Sequence, residues 1–360
     1  NTSFPYPQGY TRMPITRGLM TGIRTLILGS APAAYLNKSI IYDDKGRVVQ
    51  VKSENASGGT DITTNQYGYR GVVLVQVQRF QKNGANAQTH IVTTKMEYDE
   101  DERLLQVKKT VASVINGVAV NKPEQVIVRN EYNKIGQLRT KKLAPDYMSG
   151  LGLEGLTYDM NIRGWITALN KGYLLNSVAT GYTRNFFAYE LGYNTSATTA
   201  GSTLFTQLQY NGNIGGVIWK TAGDEVSRKF DYSYDNANRL VKADYVQNDA
   251  GSSWSNSSMN FTVPTITYDA NGNFGQFQQY GWKAGTPSAL IDNLSYSYMN
   301  SGKSNRLLAV TDAVGTDNKL GDFTDKNAGL DDYLYDENGN LTSDKNKKIS
   351  SIQYNHLNLP

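Results

Sequence analysis

One phrase recurs along the chain and limits what it can fold into: a tyrosine, an Asp or Asn, two variable residues, a Gly or Asn, then an aliphatic residue shortly after. It stands at Tyr42-Asp43-Asp44-Lys45-Gly46-Arg47-Val48, at Tyr98-Asp99-Glu100-Asp101-Glu102-Arg103-Leu104 and at Tyr132-Asn133-Lys134-Ile135-Gly136-Gln137-Leu138. Further copies are Tyr158-Asp159-Met160-Asn161-Ile162-Arg163-Gly164-Trp165, Tyr234-Asp235-Asn236-Ala237-Asn238-Arg239-Leu240 and Tyr268-Asp269-Ala270-Asn271-Gly272-Asn273-Phe274. Weaker versions are Tyr210-Asn211-Gly212 and Tyr298 with Asn305-Arg306-Leu307, and Tyr335-Asp336 with Gly339, then Tyr354, begin the last two. The tyrosines lie 26 residues apart from Tyr132 to Tyr158, 24 from Tyr210 to Tyr234 and 34 from Tyr234 to Tyr268, so a solenoid of fixed period is excluded.

The physical content of the phrase is a hairpin corner. An Asp or Asn after the Tyr accepts from backbone N–H groups two residues on, and Gly or Asn in the fifth position adopts the left-handed conformation that closes such a turn with a bulge. Glu102 stands in that position after Tyr98 and tolerates a positive φ poorly, so a different turn is expected there. Around the corners, Tyr and Leu or Val alternate with Asp, Arg, Lys and Gln, as in Gln137 to Lys141 and Arg239 to Ala243, which predicts strands with one buried face and one wet face. The best helical candidate, Asn185 to Tyr193, reads equally well as a loop and a short strand. With 25 Tyr and 34 Gly against 9 Pro, the chain reads as all-β, a tandem series of antiparallel hairpins over residues 1–360. Within that series, residues 1–150 form an N-terminal segment, residues 151–220 a middle segment and residues 221–360 the C-terminal repeats.

The corner reading also disposes of a metal loop at Asp336-Glu337-Asn338-Gly339-Asn340. A calcium loop of the helix-loop-helix type has Gly in sixth place and a bidentate Glu in twelfth. Counting from Asp336, Gly339 is fourth and Lys347 twelfth, and Asp269 with Gly272 has the same short spacing. No metal or other cofactor is expected. The chain has no cysteine, which removes thiolate catalysis, disulfides and Cys-ligated zinc. His90 and His356, the only histidines, lie far apart and outside any motif, so structural roles are expected. The carboxylates at Asp43-Asp44, Asp99 to Glu102 and Asp331-Asp332 could in principle serve glycoside hydrolysis, but each lies in or beside a turn where Asp has a backbone role. Gly150-Leu151-Gly152 and Asn213-Ile214-Gly215-Gly216 precede no helix that would hold a phosphate and read as loops or bulges. Trp165, Trp219, Trp254 and Trp282 could stack on sugars, and more simply join neighbouring hairpins. Gly251 to Ser258 reads as an exposed loop.

The 36 basic and 32 acidic residues are scattered, which makes nucleic acid an unexpected partner. The longest apolar run, Gly71 to Val77, is far short of a membrane helix. The chain opens at Asn1 without Met or a basic then apolar leader, so a signal sequence is expected to be either removed or outside it, and a strand pattern running up to Pro360 suggests that more protein follows.

These phrases, with Gly58-Gly59-Thr60-Asp61, Asn161-Ile162-Arg163-Gly164-Trp165 and Gln353-Tyr354-Asn355-His356-Leu357-Asn358-Leu359-Pro360, resemble the YD repeats of the RHS family, the β-shell proteins related to bacterial Tc-toxin subunits and teneurin ectodomains. The likeness covers nearly the whole chain and is nearest to the version found in Bacteroidetes surface and secreted proteins. It implies a curled strip or partial hollow shell that encloses a C-terminal effector, with no catalysis of its own. The implied partners are the downstream part of the same chain, an immunity protein and the type IX export machinery, and the implied location is secreted or at the bacterial cell surface. The family's core segment, its Asp-Pro-x-x-Gly self-cleavage site and its variable tail do not occur within these 360 residues. The alternative reading is a cell-surface adhesin whose tyrosines bind glycans.

Overall fold

The computed structural model describes residues 11–175, 185–199, 203–249, 253–283, 286–314, 323–327 and 329–360. The chain divides into two compact units, residues 1–157 with 178–185 and residues 158–177 with 186–360. Both are all-β and antiparallel, and in each the order of strands in space is their order in sequence.

The first unit runs β1 (Gly22–Ile27), β2 (Ala34–Tyr42), β3 (Val48–Glu54), β4 (Thr60–Tyr67), β5 (Val73–Lys82), β6 (Gln88–Tyr98), β7 (Leu104–Ile115), β8 (Val118–Tyr132) and β9 (Leu138–Leu143), ending on the first residues of β10 (Glu154–Met160). A four-residue turn of helix, α1 (Tyr147–Gly150), interrupts it before β10. These strands are rich in Val, Thr and Ile, whose branched Cβ suits a pleated ladder. The apolar run from Gly71 supplies the start of β5. Their core is thin: Ile62 and Val77 are buried, with Val75 and Ile91 against them. Most other positions on both faces are half-buried, so the described strands of this unit do not divide into one buried and one wet face as the alternation predicts. Apolar side chains here shield one another laterally, across neighbouring strands.

The second unit takes up the last residues of β10 and continues through β11 (Ile166–Leu169), α2 (Lys171–Leu174), β12 (Phe187–Gly192), β13 (Gly216–Thr221), β14 (Ser227–Tyr234), β15 (Leu240–Asn248) and β16 (Trp254–Ser255). A four-stranded sheet follows, β17 (Thr265–Tyr268), β18 (Phe274–Lys283), β19 (Thr286–Tyr298) and β20 (Leu307–Asp312), and then the pair β21 (Tyr333–Tyr335) and β22 (Leu341–Asp344). The ambiguous segment from Asn185 to Tyr193 is therefore a strand, and Trp254 and Ser255 of the expected exposed loop form β16, while Gly251 and Ser252 lie outside the described residues.

Here a true core exists. Tyr173, Leu174, Ala188, Phe205 and Ile218 are buried together, with Trp254 packed on them. Phe205 comes from a segment laid over the sheet, and Gly216 lets it in: a Cβ there would meet the ring of Phe205 at 2.4 Å and the Phe230 carbonyl at 2.8 Å. The segment also buries charge. Lys229 and Asp231 pair at 2.7 Å with side chains 6% and 7% exposed, Lys229 Nζ donates to the Leu204 carbonyl at 2.8 Å, and Asp231 accepts from the Thr206 N–H at 3.2 Å. The charged face of β14 is thus the more deeply covered one, the reverse of the expected pattern.

Candidate functional site

The repeated corner is the feature that this chain builds most consistently. At Tyr42-Asp43 the Asp43 N–H donates to the Arg47 carbonyl at 3.0 Å and the Gly46 N–H to the Asp43 carbonyl at 3.0 Å. The side chain completes the knot: Oδ1 of Asp43 accepts from the N–H groups of Lys45 and Arg47 at 3.0 and 2.9 Å, and Oδ2 from Arg47 Nε at 2.7 Å. Gly46 has φ of 75°, and the strand register shifts at Tyr42, as a type I turn with a bulge requires. The same pair of backbone bonds closes corners at Asp99, Asn133, Asn161, Asp235, Asp269, Asp336 and Asn355.

Three positions differ from expectation. Glu102 adopts φ of 63° and the corner at Asp99 has the same bonds as the rest, with Asp99 accepting from the N–H groups of Asp101 and Arg103. The side-chain knot outweighs the local preference of Glu, and the different turn expected there does not form. In the copy containing Tyr158, Gly164 and Trp165, the pivot is Asn161, so Met160 takes the place of the Tyr, and Tyr158 pairs with Leu169 in the strand. At Tyr210-Asn211-Gly212 no hairpin forms, and Tyr210 is 65% exposed; Gly212 instead lies under Trp165.

One corner is hidden from a search for Tyr-Asp. Tyr67-Gly68-Tyr69-Arg70-Gly71 makes the same backbone bonds, Gly68 N–H to the Val72 carbonyl at 2.8 Å and Gly71 N–H to the Gly68 carbonyl at 3.1 Å, with glycine where the others have Asp. The Tyr followed four residues on by Gly is its only signal. In the first unit the corners led by a tyrosine occupy every second turn, between β2 and β3, β4 and β5, β6 and β7, and β8 and β9. Of the alternate turns, the one between β3 and β4 closes on Asn55 with the same backbone bonds, Asn55 Oδ1 accepting from the Ser57 and Gly59 N–H groups at 3.1 Å, while Asn116-Gly117 is of another kind, and the strands they join differ in length. That is why form is constant while spacing drifts.

What joins one corner to the next is the tyrosine. The Tyr67 phenol donates to the Val48 carbonyl at 2.9 Å, Tyr98 to Val73 at 3.0 Å and Tyr132 to Leu104 at 3.0 Å. In the second unit Tyr268 reaches Leu240 at 2.8 Å, Tyr298 reaches Phe274 at 3.0 Å and Tyr354 reaches Leu341 at 2.9 Å. Each acceptor is the first residue leaving the preceding corner. Tyr193 fills this role for the Asn161 corner, bonding Ile166 at 3.2 Å, and Tyr234 bonds Ile214 at 2.8 Å. Burial pushes the phenols of Tyr98, Tyr234, Tyr268 and Tyr298 up, which keeps them protonated as donors near neutral pH.

The arginine that closes a corner makes a second link. Arg47 lies over the Tyr67 ring at 4.6 Å and donates to the Gly68 carbonyl at 3.3 Å; Arg239 lies over Tyr268 at 4.7 Å and donates to the Asp269 carbonyl at 2.9 Å; Arg103 lies over Tyr132 at 5.1 Å. In sequence this Asp-Arg-Tyr relay is not separable from an ordinary charged strand end.

The carboxylates are committed to these knots. Burial acts to raise Asp43 and Asp99, but the N–H groups and guanidinium of Arg47 and Arg103 outweigh it and hold both below the usual 3.8. The Arg239 N–H, the Asn273 amide and the Asn340 amide are the leading causes that lower Asp235, Asp269 and Asp336. Asp331 pairs with Lys345 at 2.6 Å and is lowered by it, while buried Asp332 accepts from the Val310 N–H at 2.9 Å and the Asn327 amide at 3.0 Å. A general acid needs a raised carboxyl, and these six move the other way. His90 bonds Ser113 at 2.8 Å and Gln88 at 3.1 Å within the sheet, and His356 sits at the tip of the last corner. Among the described residues no three His, Asp or Glu side chains gather as a metal site, and no helix is long and apolar enough to cross a membrane. Trp219 stacks on Phe230 at 5.6 Å and Trp165 lies 5.2 Å from Tyr193, so these two indoles pack against neighbouring strands; Trp282 is 39% exposed.

No protein-family model matches the chain, and no curated protein matches its sequence. Among solved structures it is similar to a chain of the TcdB2-TccC3-Cdc42 complex, at 12% identity and a TM-score of 0.30 over 85% of this chain and 16% of that one. It is also similar to a porin-like protein from Bacteroides uniformis, at 12% identity and a TM-score of 0.18 over 69% of this chain and 96% of that one. The chain thus spans about a sixth of the length of the first.

Proposed function

We propose that the chain is a wall segment of an exported RHS-type protein, without catalysis of its own, that encloses or presents a passenger polypeptide. The observation that carries this reading is the phenol ladder: Tyr67, Tyr98 and Tyr132 in the first unit and Tyr268 and Tyr354 in the second each bond a corner to the one before it, and the link persists where the strand ladder thins. Among the described residues β15 pairs by backbone with the segment ahead of β17 only at the isolated Ala243–Val263 bridge, yet Tyr268 still ties the Asp269 corner to Leu240. A unit that adds to its predecessor by one rule can be extended to any length, which is what a barrier needs and a compact catalytic domain does not. The mechanism is steric, since strands held in hydrogen-bonded sheets leave proteases no loose strand to grip. The passenger is proposed to be the downstream part of the same polypeptide, and the location the bacterial surface or exterior.

Limited proteolysis of the full-length protein tests this. The passenger should be cut far more slowly in place than when isolated; equal rates in the two states would refute enclosure.

A further inference from the structure

We propose that β1 is a self-pairing edge through which two copies of this chain associate as antiparallel strands. All six residues of Gly22–Ile27 are exposed, Ile23, Leu26 and Ile27 at 39%, 45% and 39%, and among the described residues β2 is their only strand neighbour. An exposed apolar edge templates another strand unless something blocks it. The same unit shows what a blocked edge looks like. β8 lies beyond the reach of β9 before Val128, and that free stretch carries Lys122, Pro123 and Glu124, with the register broken opposite them. Proline and charge at that point oppose strand addition. β1 has no proline, and its one charge, Arg24, lies 3.9 Å over the Tyr35 ring.

The ladder also fixes the register. The Ile40 N–H donates to the Thr21 carbonyl at 2.9 Å, so residues 21, 23, 25 and 27 bond inward to β2 and the backbone groups of Gly22, Arg24 and Leu26 face out. A second β1 can bond those groups about a two-fold axis at Arg24 or at Thr25. The first places Arg24 opposite its own copy, which like-charge repulsion disfavours. The second places Ile23 opposite Ile27 and Leu26 opposite Arg24, matching apolar to apolar on one face and resting each Leu26 on an arginine stem on the other. Six residues a side bury much less than the roughly 1,600 Å² of a stable interface, so the dimer forms only at high concentration.

Sedimentation equilibrium of the 360-residue chain across the micromolar range tests this. The mass should climb toward twice that of the monomer. Leu26→Pro, which removes an outward N–H without touching the bonds to β2, should weaken association about tenfold or more. Leu26→Lys should do the same while leaving the unfolding midpoint unchanged, which separates lost pairing from lost folding. Val120→Pro on the guarded β8 edge should leave association as it was. A monomer at every concentration overturns the proposal, and so does association that survives both Leu26 variants or is lost with Val120→Pro.

Discussion

The phenol of Tyr67 donates to the main-chain carbonyl of Val48, 2.9 Å away, and Val48 is the first residue out of the corner that Asp43 and Arg47 close. One hydrogen bond thereby ties the start of a turn to the end of the previous one, and Arg47 stacks on the same ring. The tyrosine serves as a strand residue, a donor and a stacking surface at once, which is why it recurs where Phe would satisfy only two of the three.

Removing the donor alone should measure the link. Tyr268→Phe keeps the ring over which Arg239 lies and deletes the bond to Leu240, for an expected loss of about 1 kcal/mol in urea unfolding. The loss should be local as well. Amide exchange in β17 should rise before that in β13 and β14, because Tyr268 spans a point where, among the described residues, β15 pairs by backbone with the chain ahead of β17 only at the isolated Ala243–Val263 bridge.

Glu102 holds φ of 63°, a conformation that costs a side chain with a Cβ about 1 kcal/mol. Glu102→Gly should therefore stabilise the chain by about 0.5 to 1 kcal/mol, since the contact of Glu102 with Arg70, at 3.9 Å, is a long one to lose. Gly46→Ala at φ of 75° should do the opposite by a similar amount. Chemical denaturation of both variants checks the pair of signs.

How much of this is legible in the sequence depends on how local the physics is. The corners at Asp43, Asp235 and Asp269 can be read directly, because an Asp that accepts two residues on and a residue that closes the turn are bonded within five residues of one another. The corner at Gly68 cannot, since glycine there keeps the backbone bonds and discards the side-chain signal. The copy at Tyr158 falls two residues early when read from the phrase, because Asp159 mimics the acceptor that Asn161 supplies. Least legible is the burial of Lys229 and Asp231. It depends on Phe205 and its neighbours lying over β14, and nothing within β14 itself announces that cover.

Acid should loosen the corners. The folded-state values of Asp43, Asp99, Asp235, Asp269 and Asp336 all lie below the ordinary 3.8. A lowered carboxyl contributes stability that is fully present above its unfolded value and is lost as pH falls through its folded value. Unfolding free energy should hold steady from neutral pH to about 5 and decline below about 4. Asp235→Asn, which keeps an acceptor for the Ala237 and Arg239 N–H groups but cannot titrate, should show a shallower decline. A slope identical to that of the parent chain would mean that the corner carboxylates do not set the acid limit.

The buried pair under the 203–207 segment should be the most sensitive point in the second unit. Lys229→Met removes the cation and leaves Asp231, 7% exposed, with its charge uncompensated beside the Thr206 N–H, at an expected cost of about 3 to 5 kcal/mol. It also removes the bond to Leu204, which helps hold Phe205 over Gly216, so protection of amides around Phe205 should fall with it. Replacing both partners, Lys229→Met with Asp231→Leu, should cost less than the single change, because no charge is then left buried. If the double variant is instead worse than Lys229→Met alone, the pair acts through shape and its hydrogen bonds to the covering segment, and the charge itself contributes little.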